Sequence, residues 1–211
     1  FDNNDALGHS GGAIFVENGD LTVAGSSLED NQAAAQGGAL RVDQGALTLT
    51  NSTIRDNHSI YGGGVKVDEG SAYLSEVLVT LNDATEDGGG IYFWETDATV
   101  LDSQITLNMA AGANGEGGGL LQYNPGTLTV ARTLFEFNNA PSGHGGALHL
   151  FGTSALIEDS YIRQNSAQNG GGITSYTALT VRRSTLANNA ANQFTGGGAA
   201  IDQRHQALVL Q

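Results

Sequence analysis

Four side chains with the chemistry of a polysaccharide-cleaving enzyme stand at matched intervals. Lys66, the only lysine, follows Arg41 by 25 residues, and Asp68 follows Asp43 by the same step. If the fold brings such steps together, Arg41 can neutralise a uronate carboxylate while Lys66 removes the neighbouring proton, the work of a lyase. Asp43 and Asp68 would then lie about 5 Å apart, the carboxylate separation of a retaining glycoside hydrolase. A surface salt-bridge cluster is the commoner outcome for two cations and two acids on adjacent levels.

Further along the same frame the residues turn aromatic: Tyr92, Trp94, Tyr123, His149, Phe151 and Tyr176. Flat side chains in a row suit sugar rings, whose C–H faces desolvate well against π surfaces while His and carboxylates take hydroxyls. The other reading is structural, because aromatics are good strand residues and stack on their like in a sheet. His9, His58, His144 and His205 read as ordinary polar residues of turns and flanks. No H-E-x-x-H, G-x-S-x-G or EF-hand pattern occurs. No resident metal is expected, although calcium could be taken by acidic turns such as Asp83, Glu86 and Asp87, or Asp68 and Glu69.

The elements that position these residues come from a repeat. Glycine pairs or triplets followed by an aliphatic residue begin at Gly11, Gly37, Gly62, Gly88, Gly117, Gly145, Gly170 and Gly196, so the period is near 26. A second column runs through Asn3, Asn31, Asn57, Asn82, Asn108, Asn138, Asn165 and Asn189; all but the first stand three places after a large apolar residue. Between them lie alternating runs such as Leu47-Thr48-Leu49 and Leu179-Thr180-Val181. Period-2 alternation of Val, Thr, Ile and Leu predicts strands, and no apolar 3.6 period lasts long enough for a helix. Three strands of four to six residues cannot bury a core alone, so successive copies must stack.

The expected fold is all-β, a right-handed parallel β-helix with three-strand coils of about 26 residues. Seven to eight coils at about 4.8 Å make a rod of roughly 35 to 40 Å. Sharp turns and close backbone contacts account for the glycines, and an axial amide ladder accounts for the asparagines.

If the aliphatic residue after the glycines points inward, the first outward column is Phe15, Arg41, Lys66, Tyr92, Leu121, His149, Thr174 and Ala200. The second, two residues on, is Glu17, Asp43, Asp68, Trp94, Tyr123, Phe151, Tyr176 and Asp202. Two insertions, residues 110–116 and 140–144, lengthen the same turn of neighbouring coils and either wall the aromatic strip or relax into surface loops.

The tetrads Gly11-Gly12-Ala13-Ile14, Gly37-Gly38-Ala39-Leu40 and Gly145-Gly146-Ala147-Leu148 resemble the GGA[ILV] motif of polymorphic outer membrane protein repeats. Phe1-Asp2-Asn3-Asn4 and Phe135-Glu136-Phe137-Asn138 are similar to the companion FxxN motif. The resemblance implies a β-helical passenger region of a bacterial surface or autotransported protein, many of which are adhesins.

Composition narrows the partners. With 22 acidic residues against 8 basic ones the net charge is -14, which disfavours nucleic acid and anionic lipid. There is no cysteine, hence no disulfide or thiolate metal site. No apolar run approaches the roughly 20 residues of a membrane span. The sequence starts at the Asn turn and stops inside a second strand without a polar cap, so residues 1–211 read as one β-helix segment of a longer solenoid, or as one whose caps belong to neighbouring domains or subunits. The expected function is a secreted or surface-displayed binding and adhesion module that holds a polysaccharide or cell-surface glycan on the aromatic strip. The alternatives are a lyase or glycoside hydrolase, and a structural spacer or filament subunit whose strip meets another protein chain.

Overall fold

The computed structural model describes residues 1–192 and 197–211. The chain winds into a parallel β-solenoid of about eight turns, with no helix among the described residues. Its strands form three parallel sheets, of fourteen, eight and seven strands. The largest holds the strand after the glycines and the one that follows it. In two coils these fuse into single strands of eleven residues, Val65–Ser75 and Ile91–Leu101, where separate short segments were expected. The seven-stranded sheet runs from Ser27–Glu29 to Thr185–Ala187. The eight-stranded sheet follows the asparagines in mostly two-residue steps, such as His58–Ser59 and Asp83–Ala84.

Burial follows the alternation of the sequence. In Ala46–Thr50 and Ala178–Arg182 the second and fourth residues are buried and their neighbours are not. These inward side chains meet Ile54, Val79, Ile105, Phe135 and Ile162 from the seven-stranded sheet, giving one axial core. Each such side chain contributes about 1.5–3 kcal/mol when fully buried. One coil supplies only a few, so stacking is obligatory.

The glycine pair does two jobs. Gly62 has φ +65°, and a Cβ on Gly63 would come within 2.3 Å of the Gly89 carbonyl in the next coil. The turn therefore needs the left-handed conformation first and a bare backbone second. The expected start at Gly196 lies outside the described residues. The register places Ile173 beside Ile201, which sets Gly198 in line with Gly170.

The asparagine column is a continuous ladder. Asn31, Asn57, Asn82, Asn108, Asn138 and Asn165 each donate an Nδ2 proton to the Oδ1 of the next asparagine at 2.9–3.0 Å. In most rungs the second Nδ2 proton goes to a carbonyl of the preceding coil, as from Asn108 to Val79. The ladder begins at Asn4, which donates to Asn31 Oδ1 at 2.8 Å, and not at Asn3 as its spacing suggested. Asn3 instead takes the left-handed position ahead of the ladder, φ 54°, a conformation that Asn tolerates well.

A second ladder was not foreseen. Ser26, Ser52, Ser103, Thr133, Ser160 and Ser184 each donate their hydroxyl to the carbonyl two residues back. Apart from the first, these hydroxyls accept a backbone N–H from the preceding coil at 3.1–3.4 Å. Only position 77 of this column is apolar, being Val.

Candidate functional site

The outward columns of the first strand are built by the register. Phe15, Arg41, Lys66, Tyr92, Leu121, His149 and Thr174 occupy one column. Glu17, Asp43, Asp68, Trp94, Tyr123 and Phe151 occupy the second. The last coil differs from expectation: Asp202 pairs with Thr174, so it joins the first column, and Ala200 falls back into the glycine turn.

The first column was expected on the surface, but Lys66, Tyr92, Leu121, His149 and Thr174 are all buried. The turn returning from the two-residue strands to the glycines folds across it. Tyr61 of that turn meets the Tyr92 ring edge-on at 6.2 Å, His144 lies 5.7 Å from His149, and Asn169 accepts the Thr174 hydroxyl proton at 3.0 Å. Residues 110–116 lengthen this wall and place Asn114 and Glu116 over the strip.

At one end of the face the four proposed catalytic residues come together. Arg41 donates from Nη2 to Asp43 at 2.8 Å, from Nε to Asp68 at 2.9 Å and from Nη1 to Ser10 at 3.1 Å. Lys66 donates to the other oxygen of Asp68, and its Nζ sits 4.0 Å from the centre of the Tyr92 ring. The cluster is largely sheltered, with Lys66 only 3% exposed, so it is not the surface salt bridge the sequence suggested. Burial lowers the Lys66 pKa, Arg41 adds to the effect, and Asp68 opposes it.

From there the rings form a stack along the axis. Trp94 lies on Tyr123 at 5.2 Å and 21°, and Tyr123 on Phe151 at 5.3 Å and 17°. Phe151 meets Tyr176 at 5.2 Å, and Tyr176 meets His205 at 6.1 Å. Such contacts cover the faces of the inner rings with other rings. Trp94 is different, because the coil before it presents Asp68 instead of an aromatic, with Lys66 Nζ 5.9 Å from the indole centre.

At this step between ion pairs and rings lies a cavity of about 580 Å³, lined by Gln36, Arg41, Tyr61, Lys66, Asp68, Glu86, Asp87, Tyr92, Trp94, Asn114, Glu116 and Tyr123. Its far wall is acidic. Burial pushes the Asp87 pKa up to about 6, Glu116 and Glu86 adding to the shift, while the Glu116 N–H donated to Asp87 at 2.9 Å opposes it. Burial also works against the Glu116 carboxylate, but His149 beside it, with Nδ1 3.1 Å from Oε2, and His144 outweigh that and hold its pKa down. That contact is poorly aligned, so neither ring nitrogen of buried His149 makes a proper hydrogen bond. Burial and the nearby carboxylates raise the Tyr92 pKa, so its phenol stays neutral.

Of the residues expected to bind a ligand, Tyr92, Trp94 and Tyr123 line the cavity, whereas His149, Phe151 and Tyr176 lie further along the stack. Lys66, Arg41 and Asp68 line it too, and Asp43 stands behind Arg41. Sequence reasoning missed Gln36, Tyr61, Asn114 and Glu116 as lining residues, and it read Glu86 and Asp87 only as calcium candidates. Their shared signal was position, immediately before the glycines. Among the described residues no group of three or more His, Asp and Glu side chains is arranged to hold a metal. Compared with models of protein families, with curated proteins and with solved structures, the chain matches none.

Proposed function

We propose that the protein is a secreted or surface-displayed binding module whose cavity takes one ring of a glycan against Trp94. The observation that carries this reading is the step in the strip, where a ring stack ends on Trp94 beside a polar cavity of sugar size. The hydroxyls of a bound sugar would find Asp68, Asp87, Glu86 and Glu116 as acceptors and Arg41 as a donor. The wall charge selects the glycan. Four carboxylates face two cations, and both cations already bond to Asp68, so a neutral or amino-bearing sugar is favoured over a polyuronate.

A lyase reading has one observation in its favour, the lowered pKa of Lys66 beside Arg41. A neutral Lys66 would take the proton next to a uronate carboxylate as the glycosidic C–O bond breaks. The same acidic wall argues against that substrate.

A glycan array holding neutral, amino and acidic polysaccharides separates these readings when it is run beside a Trp94→Ala/Tyr123→Ala double variant. Binding of neutral or amino glycans that the variant loses supports the module. Release of unsaturated product would make the protein a lyase, and an absence of binding would leave a structural spacer. The bacterial surface and autotransporter setting belongs to the same proposal and rests on the glycine and FxxN motifs.

A further inference from the structure

Charge is balanced on one wall of the cavity and not on the other. Arg41 and Lys66 answer Asp43 and Asp68: Arg41 bonds to both carboxylates and to Ser10, and Lys66 bonds to Asp68. The far wall holds Glu86, Asp87 and Glu116, on the segments that lead into the glycine turns. Among the described residues the one basic partner of these three is His149, beside Glu116. Asp87 Oδ1 accepts the Glu116 N–H at 2.9 Å, and the exposed Glu86 carboxylate bonds to nothing among the described residues.

A second observation points at the same wall. His149 is only 2% exposed and turns Nδ1 to Glu116 Oε2, yet neither ring nitrogen makes a proper hydrogen bond. A buried polar side chain aimed at a carboxylate and left unsatisfied is an exception that stability does not account for.

We infer that the sugar seated against Trp94 carries a free amino group, and that its ammonium is held by Asp87 with Glu86 and Glu116 around it. This rests on the reading of the cavity as a glycan site and narrows it: units with a free amine are the ligands, and acetylated or unsubstituted units bind poorly. An ammonium brings three donors and no acceptor, which suits a wall of carboxylates that lacks a lysine or arginine. Burial without such a cation is what raises the Asp87 pKa. The indole contributes as well, because Tyr123 covers one face of Trp94 while the other looks toward Asp68 and Lys66, and a cation gains from that face. An acetamido group offers one donor and no charge, so it leaves the wall as it is. A carboxylated sugar adds repulsion.

Calorimetry near neutral pH tests this with tetramers of glucosamine, N-acetylglucosamine and glucose, and with tetralysine. The peptide reports any general pull of a chain with net charge -14 on a polycation. The glucosamine tetramer should bind about tenfold more tightly than the other three. Asp87→Asn should cut that preference to about threefold or less, and Glu86→Gln, at an exposed side chain, should lower it in the same direction. Asp30→Asn makes the same change of charge at an exposed position outside the cavity and should keep the preference. Acetylated or glucose tetramers that bind as tightly as the amino one, and are lost in Trp94→Ala, overturn the ammonium and leave the glycan site standing. Tetralysine that binds as tightly as the amino sugar, or a preference reduced equally by Asp30→Asn, also overturns it. Binding of no sugar at all removes the glycan site and the ammonium with it.

Discussion

Along the asparagine edge each level repeats the one before it: the same amide, the same spacing near 3.0 Å and every Oδ1 and Nδ2 in use. Across the strand face of the same coils no two neighbouring levels present the same side chain in the first column, which runs Arg41, Lys66, Tyr92, Leu121, His149. Both nitrogens of His149 lack a hydrogen-bond partner there, as do Nδ1 of His144 and Oε1 of Gln36 on the segment that covers it. Buried polar groups are normally satisfied, and exceptions mark sites kept for something other than stability. Both regions stack at the same pitch, so the difference lies in their chemistry: the edge holds the coils together, and the face is free to vary.

The comparison breaks most readily at the ladder. Asn108→Ala removes the Oδ1 that accepts both the N–H and the Nδ2 proton of Asn82. Leaving two buried donors unpaired should cost about 3–5 kcal/mol, read from urea unfolding. A loss below about 1 kcal/mol would mean that the ladder is a by-product of stacking.

The face should respond to pH in the opposite sense to an ordinary salt-bridged acid. The Asp87 pKa is raised from 3.8 to about 6, so the folded state holds its proton more tightly than the unfolded one. The associated stability is full below pH 4 and is lost as pH rises through 6. Asp87→Asn keeps the acceptor for the Glu116 N–H without the charge. It should match the wild type near pH 4 and exceed it at pH 8, by about 1–2 kcal/mol after allowing for partial exposure. Melting curves of both proteins across that range are the check, and parallel curves would show that the carboxylate is better solvated than its surroundings suggest.

Lys66→Met sharpens the contrast in another way. Removing one member of a buried ion pair is costly when it strands the other charge, about 3–5 kcal/mol, but here Asp68 keeps Arg41 as a partner. Stability should change by less than about 1 kcal/mol, against the large loss at Asn108. A cost above about 3 kcal/mol would show that the charged cluster holds the coils together as the ladder does.

What was legible in the sequence follows the same division. The glycine and asparagine columns repeat because each makes its contact with its own copy in the next coil, so spacing alone exposed the solenoid and most of its registers. Asn3 was misassigned because two adjacent asparagines, Asn3 and Asn4, share one turn, and only the left-handed backbone at Asn3 distinguishes them. Asp202 was misplaced because the repeat was counted from Gly196, the first of three glycines, whereas the register sets Gly198 in line with Gly170. The outward column was read correctly as a column and wrongly as a surface, since alternation tells which side of a strand a residue takes but not what folds over it. Glu86, Asp87 and Glu116 sit on that cover, in the part of the repeat where lengths vary, and their place just ahead of the glycines was the one signal they gave.

The smallest effect tests whether the edge can be improved where it departs from its own rule. Val77 interrupts the hydroxyl ladder: its N–H donates to Ser103 Oγ at 3.1 Å, but it offers no oxygen to Ser52 in the preceding coil. In Val77→Thr the new hydroxyl would repeat its neighbours, donating to the Ser75 carbonyl as Ser103 donates to Leu101 at 2.6 Å, and accepting from the Ser52 N–H. The shape hardly changes and both ends of the hydroxyl are satisfied, so a gain of about 0.5–1 kcal/mol is expected, visible as a higher melting temperature. A comparable change on the face has no such template, because no neighbour dictates what its partner should be. A loss in Val77→Thr would mean that the apolar contact of Val77 with the core outweighs the missing rung, and the edge would then be less uniform in its energetics than in its geometry.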